Sequence, residues 1–138
     1  MPPSEQAHAL RVCKLLLHEG EREADLLAAA LLHDIGKSLY PLRIWERVWI
    51  VLYHRVFEHR FLGAHFRMGK EGHGPPWWAR PMMITSQHPE WGARMLEEKG
   101  ASPITVWLVR NHQEPIEKAL DGRAEEMLEM LRRADQVS

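Results

Sequence analysis

The chain of 138 residues has a single cysteine, Cys13, which excludes a disulfide framework and a cysteine-based zinc cluster. A reducing, cytoplasmic setting is therefore the simpler expectation. The chain also lacks an excess of charge, because 18 lysines and arginines nearly balance 19 aspartates and glutamates. Its net charge thus gives no indication of a nucleic-acid partner or of an acidic membrane surface.

Long apolar runs are missing as well. Apart from the run that precedes His33, the longest one is Val48 to Tyr53, far below the ~20 residues that a membrane-spanning helix needs. The first residues, Met1 to Glu5, have neither the basic stretch nor the apolar core of a signal peptide. We therefore expect a soluble protein without a transmembrane segment.

The sequence does have helical periodicity throughout, with glycines and prolines between the apolar segments and no alternating strand pattern. This pattern predicts one all-α domain over residues 1–138, and a hydrophobic content of 45% suffices for a single core. The expected elements are helices at about 4–18 and 21–35, the latter capped by Gly36, an amphipathic stretch at 42–68, a helix that opens at Pro89 and ends near 99, and helices at 103–112 and 123–137.

Several ionisable residues lie on the apolar faces of these predicted helices. His33 and Asp34 directly follow the apolar run 26–32, where an uncompensated carboxylate would cost several kcal/mol. Helical spacing also places His8 on the apolar stripe of the first helix and Asp135 on the apolar side of the last. We therefore expect these four groups to face the core.

Three intervals between candidate residues have the length that returns a chain to the same level of an antiparallel helical bundle. They are 25 residues from His8 to His33, 24 from His88 to His112, and 23 from His112 to Asp135. The interval from Asp34 to His88 is 54 residues, about thirty more than the others. This difference predicts an insertion at about residues 42–80.

The ordered set His8, His33-Asp34 and Asp135 resembles the His, His-Asp, Asp pattern of the HD-domain metal-dependent phosphohydrolases. The residues around this set are similar to that superfamily as well. Segment 30–37 resembles its central motif, 88–93 and 110–114 resemble segments that supply additional ligands, and 134–138 resembles its closing segment. Only residues 42–80 have no counterpart in the resemblance.

The resemblance implies a helical bundle with a dinuclear metal site at its centre. The ligands would be His8, His33, Asp34 and Asp135 for one ion and Asp34, His88 and His112 for the other, with Asp34 as the bridge. Mixed imidazole and carboxylate ligands suit divalent iron, manganese, nickel, cobalt or zinc. The implied activity is hydrolysis of a nucleotide or another small phosphate mono- or diester, with Asp34 and Lys37 at the reacting centre.

Each of these roles has an alternative. Lys37 would contact a substrate phosphate, or it would only complement the negative end of its helix, an effect of about 0.3–1 kcal/mol. A buried histidine taken singly, such as His8 or His112, is more often a hydrogen-bonded core residue. The chain also lacks the Gly-Tyr-Pro signature of the HD-GYP phosphodiesterases after Asp121-Gly122. A di-iron oxygenase of the same superfamily and a non-catalytic sensor or interaction domain are the alternative functions.

The predicted insertion is rich in tryptophan and arginine. Its apolar stripe is expected to pack on the bundle, and it consists of Trp45, Val48, Trp49, Leu52 and Val56. The alternatives are a homodimer surface, a lid with residues 75–78 as its hinge, and a segment that rests on a membrane. The expected partner is a small phosphate-ester substrate, and no nucleic-acid partner is expected.

Overall fold

A computed structural model describes residues 1–40, 43–56, 80–113 and 121–138. These ranges contain six α-helices and no strand, which confirms the all-α prediction for them. The helices are α1 (Pro3–His18), α2 (Ala24–Leu32), α3 (Ile44–Val56), α4 (Arg80–Glu98), α5 (Pro103–Asn111) and α6 (Gly122–Val137). A short 3₁₀ helix, Ile35–Ser38, follows α2.

The helix ends follow local features of the sequence. Gly20 and Gly100 follow α1 and α4 with φ angles of 96° and 77°, the left-handed region that favours glycine. The side-chain oxygens of Ser102 and Asp121 accept hydrogen bonds from backbone N–H groups in the first turns of α5 and α6, at 3.1 and 2.7 Å. The predicted bounds of α1, α5 and α6 are therefore correct to within about one residue.

The core lies where α1, α2, α5 and α6 pack against one another. Its fully buried side chains include Val12, Leu16, Leu26, Leu108 and Leu131. Helix α4 packs on this group through α5 and through the 3₁₀ helix. Within the described ranges, no helix has the length and apolar character needed to cross a membrane.

Three predicted boundaries are wrong, and the first is the start of α2, which is Ala24 rather than a residue near 21. Helix α2 ends at Leu32, and Gly36 is not its cap but a buried residue of the 3₁₀ helix, packed against α4. Helix α4 begins at Arg80, so Pro89 lies inside it rather than at its first position. The preference of proline for helix starts is outweighed here, because the buried face of α4 already begins before Pro89.

Helix α3 lies within the predicted insertion, and four residues of its predicted apolar stripe are exposed. The exposed fractions are 43% for Trp45, 53% for Val48, 38% for Trp49 and 50% for Leu52. The expectation that this stripe packs on the bundle is therefore wrong for these residues. The hinge predicted at residues 75–78 lies outside the described part of the chain.

A carboxylate occupies the buried side of α3. Glu46 is fully buried, accepts a hydrogen bond from the backbone N–H of Arg43 at 2.6 Å and pairs with the guanidinium of Arg80 at the start of α4. Because a buried carboxylate must be compensated, this pair holds the Glu46 side of α3 toward the start of α4. The stripe therefore faces outward, which the spacing of apolar residues alone did not predict.

Candidate metal centre

The candidate ligands predicted from the sequence lie on five different helices or directly after them. His8 is on α1, His33 and Asp34 follow α2, His88 is on α4, His112 follows α5 and Asp135 is on α6. The structure brings all six together, although 127 residues separate the first from the last. They form two adjoining groups of three, each with side-chain atoms close enough to hold one metal ion.

The first group consists of His8, His33 and Asp135. The Oδ1 atom of Asp135 lies 2.8 Å from Nε2 of His8 and 3.3 Å from Nε2 of His33. The side chains of His8 and Asp135 are 23% and 30% exposed, whereas that of His33 is buried. The centre is therefore accessible from solvent on the side of this group.

The second group consists of Asp34, His88 and His112, and all three are buried. The Oδ1 atom of Asp34 lies 3.2 Å from Nε2 of His88 and 4.0 Å from Nε2 of His112. Its other oxygen, Oδ2, lies 3.6 Å from Nε2 of His33 in the first group. The Asp34 carboxylate thus stands between the two groups, with one oxygen toward each.

The three buried imidazoles are oriented by backbone carbonyl groups. The Nδ1 atoms of His33, His88 and His112 lie 2.9, 2.8 and 2.7 Å from the carbonyl oxygens of Ala30, Thr85 and Val109. A carbonyl oxygen can only accept, so the proton of each neutral ring is on Nδ1 and Nε2 keeps its lone pair. This is the arrangement in which a histidine binds a metal through Nε2.

Two of these Nε2 atoms have no hydrogen-bond partner among the described residues. They belong to His33 and His88, and both atoms are inaccessible to solvent. Buried polar atoms are rarely left unsatisfied, because each costs free energy. A cation in each group would satisfy these nitrogens, and the imidazole and carboxylate donors suit a divalent transition metal.

Lys37 adds a positive charge at Asp34. Its Nζ atom lies 2.8 Å from the Asp34 carboxylate and its side chain is 23% exposed. Burial raises the pKa of the Asp34 carboxyl, but the positive charge of Lys37, its hydrogen bond to the carboxylate and the nearby His33 lower the pKa by more, so that it lies below its usual range. Asp34 is therefore ionised at neutral pH, the state in which a carboxylate binds metal.

The other ligands differ in their protonation. Burial and the neighbouring histidines lower the pKa of His112 to about 3, so this ring is neutral. For Asp135, burial raises the pKa, but the contacts with His33 and His8 lower it to about 2. For His33, burial lowers the pKa, but Asp135 and Asp34 outweigh it and raise the pKa above its usual value. A cation in the first group would compete with a proton on His33.

Sequence reasoning missed the residues that hold the two groups together. The backbones of Gly36 and Gly92 pack closely against each other. There is little room for a side chain between them, since a Cβ atom on Gly92 would lie 3.2 Å from the Gly36 nitrogen. A Cβ atom on Gly36 would overlap the carbonyl oxygen of His88. Both glycines were visible in the sequence, next to the His-Asp and His-Pro segments, but their contact depends on how the 3₁₀ helix packs on α4.

A comparison with family models gives a match to the HD domain over residues 6–138. Neither the curated proteins nor the solved structures give a match. The matched range contains every candidate ligand and nearly the whole chain. HD domains bind divalent metal ions and are generally metal-dependent phosphohydrolases. The resemblance of the motifs is thus confirmed, and the chain belongs to the HD domain family.

Proposed function

We propose that the protein is a metal-dependent phosphohydrolase that acts on a nucleotide or another small phosphate mono- or diester. The observation that carries the proposal is the position of the Asp34 carboxylate, which has Oδ2 at 3.6 Å from His33 and Oδ1 at 3.2 Å from His88. A carboxylate with one oxygen toward each ligand group is suited to bridge two ions.

Two divalent ions per chain are part of the proposal. The first ion would be held by His8, His33 and Asp135 and the second by Asp34, His88 and His112. Asp34 would also serve the first ion, since its Oδ2 atom lies 3.6 Å from Nε2 of His33. When bound, such ions polarise a phosphoryl oxygen and lower the pKa of a water molecule, which then becomes a nucleophile near neutral pH. Iron, manganese, nickel, cobalt and zinc all suit this set of donors.

The protein itself contributes charge and orientation. The Asp34 carboxylate is ionised, and the backbone hydrogen bonds of the three buried imidazoles keep their Nε2 atoms directed at the centre. Lys37 is the residue we assign to the substrate. Its ammonium group lies next to Asp34 and is partly exposed, so an anionic phosphate oxygen can reach it.

The proposal is tested by metal analysis and by turnover. The protein is purified without chelator, reconstituted separately with iron, manganese and nickel, and analysed for metal per chain. Each form is then assayed with a generic phosphomonoester, a generic phosphodiester and a panel of nucleotides. We expect about two ions per chain and hydrolysis of at least one substrate class.

Other results would contradict the proposal in different ways. A chain that takes up none of the three metals has no metal centre. Oxygen consumption by the iron-loaded protein, without hydrolysis, would favour the di-iron oxygenase alternative. Metal-loaded protein that binds nucleotides without turning them over would favour a sensor domain.

A further inference from the structure

Two of the buried histidines are oriented by backbone carbonyl groups that have no hydrogen-bond donor within their own helix. His33 and His112 directly follow the last residues of α2 and α5. The last four carbonyl groups of an α-helix have no donor within the helix. The carbonyls of Ala30 and Val109 are among them, and each lies within hydrogen-bond distance of a histidine Nδ1 atom.

His88 is in a different position, because ten residues of α4 follow it. In a regular helix the Thr85 carbonyl would accept a hydrogen bond from the backbone N–H of residue 89. Residue 89 is a proline, which has no N–H. The Thr85 oxygen instead lies 2.8 Å from Nδ1 of His88, closer than the Ile84 oxygen at 3.2 Å.

We propose that Pro89 is a positioning residue, which orients the imidazole of His88 by leaving the Thr85 carbonyl without a helical donor. The hydrogen bond keeps the proton of His88 on Nδ1 and leaves the lone pair of Nε2 facing Asp34, 3.2 Å away. Pro89 thus provides inside a helix the free acceptor that His33 and His112 obtain from helix ends. The purpose of this arrangement rests on the proposed metal centre, but the hydrogen bond itself does not.

A purely structural role is the competing explanation, because Pro89 is buried and fills space in α4. An interior proline also weakens a helix, so its replacement by alanine should raise the thermal stability if packing allows. The decisive measurement must therefore follow the ring of His88 rather than stability. The tautomer of an imidazole is such a measurement, since the nitrogen chemical shifts of the ring differ between protonated and unprotonated atoms.

The experiment compares the wild-type full chain with Pro89→Ala after removal of metal by a chelator. In the wild type we expect the neutral ring of His88 to carry its proton on Nδ1. In Pro89→Ala the restored N–H of residue 89 competes for the Thr85 carbonyl, so both tautomers should be populated. In a cobalt(II) titration, the second ion should bind about 10- to 100-fold more weakly, as is typical when an outer-shell partner is lost. Binding of the first ion should be unchanged.

Pro103→Ala is the matched control. Pro103 is an exposed residue at the start of α5, where a restored N–H is one of the donors that lack a helical acceptor. We expect this variant to keep both the His88 tautomer and the affinity for the second ion. An equal loss in Pro103→Ala would overturn the proposal, since the effect would then be a general one.

A second variant separates the missing N–H from the shape of the proline ring. It carries an ester bond in place of the backbone amide of alanine at position 89, so that it lacks both the N–H and the ring. We expect the ester variant to show the wild-type tautomer of His88 and the wild-type cobalt affinity. This expectation holds even if Pro89→Ala folds poorly. The proposal is overturned if the ester variant fails to restore them, or if Pro89→Ala keeps a pure Nδ1–H tautomer. A wild-type chain that binds no cobalt contradicts the proposed function alone, because the tautomer comparison still decides the role of Pro89.

Discussion

Replacement of Gly36 by alanine should separate the two ligand groups. Gly36 is the point at which the 3₁₀ helix lies against the backbone of α4. A Cβ atom there would overlap the His88 carbonyl oxygen and would lie 2.8 Å from the nitrogen of Gly92. Both atoms belong to the backbone of a helix, so neither can rotate away as a flexible side chain would.

The size of the effect follows from these distances. Ordinary contact begins at 3.4 Å, so the Gly92 nitrogen alone requires a shift of about 0.6 Å and the overlapping oxygen requires more. Asp34 precedes Gly36 by two residues, and the displaced carbonyl belongs to His88 itself. A shift of this size exceeds the ~0.5 Å within which a ligand set must be held. Overpacking of this kind costs about 1–3 kcal/mol, or roughly 3–10 °C in melting temperature for a chain of this length.

Thermal unfolding of the metal-free protein and cobalt(II) binding by the full chain measure the two consequences separately. Gly36→Ala should unfold at a lower temperature and lose the second ion before the first. The matched control is Gly122→Ala at the start of α6, where a Cβ would meet no atom within 4 Å. If Gly36→Ala melts at the wild-type temperature and binds two ions with wild-type affinity, the close contact does not set the geometry of the centre.

Five further substitutions, at four positions, test the metal centre and the anchoring of α3. Asp34→Ala should abolish metal binding, whereas His112→Ala should leave about one ion per chain; equal losses by metal analysis would argue against separable sites. Lys37→Met should lower kcat/KM for a phosphate ester at least tenfold while both ions are retained. Lys37→Arg should recover part of this kcat/KM. Loss of metal in Lys37→Met would instead indicate that Lys37 acts only on Asp34. Burial raises the pKa of Glu46, but a backbone N–H and Arg80 lower it more, to below its ordinary value of 4.5. Glu46 therefore contributes stability above pH 4.5 that is lost as the pH falls through its lowered pKa. Glu46→Gln should cost about 1–3 kcal/mol at pH 7 and less at pH 3.5 in denaturant titrations, and a difference independent of pH would contradict this account.

Helical periodicity was sufficient to predict the side on which His8 and Asp135 lie. Both are half-buried, and they share their helix faces with the buried residues Val12 and Leu16 on α1 and Leu128 and Leu131 on α6. It was not sufficient for α3. In the described part of α3 the buried side chain is the carboxylate of Glu46. It is compensated by the guanidinium of Arg80, which lies 34 positions later in the chain. The pattern of apolar residues along one helix contains no information about such a partner. The bounds of the insertion, the cytoplasmic location and the homodimer and membrane alternatives stay predictions.

The two misinterpreted residues, Gly36 and Pro89, were both treated as signals for helix ends. That interpretation uses what glycine and proline do within a single segment, whereas here each acts on a contact between segments. The missing side chain of Gly36 allows the Asp34 segment to lie against the carbonyl of His88. The missing N–H of Pro89 leaves the Thr85 carbonyl for the ring of the same histidine. The distance between Oδ1 of Asp34 and Nε2 of His88 is 3.2 Å. On the Asp34 side it depends on the missing side chain of Gly36, and on the His88 side it depends on the missing N–H of Pro89. Such a dependence becomes visible only when the neighbouring backbone is known. The sequence could therefore predict which side chains would cluster as candidate ligands, but not which residues support them.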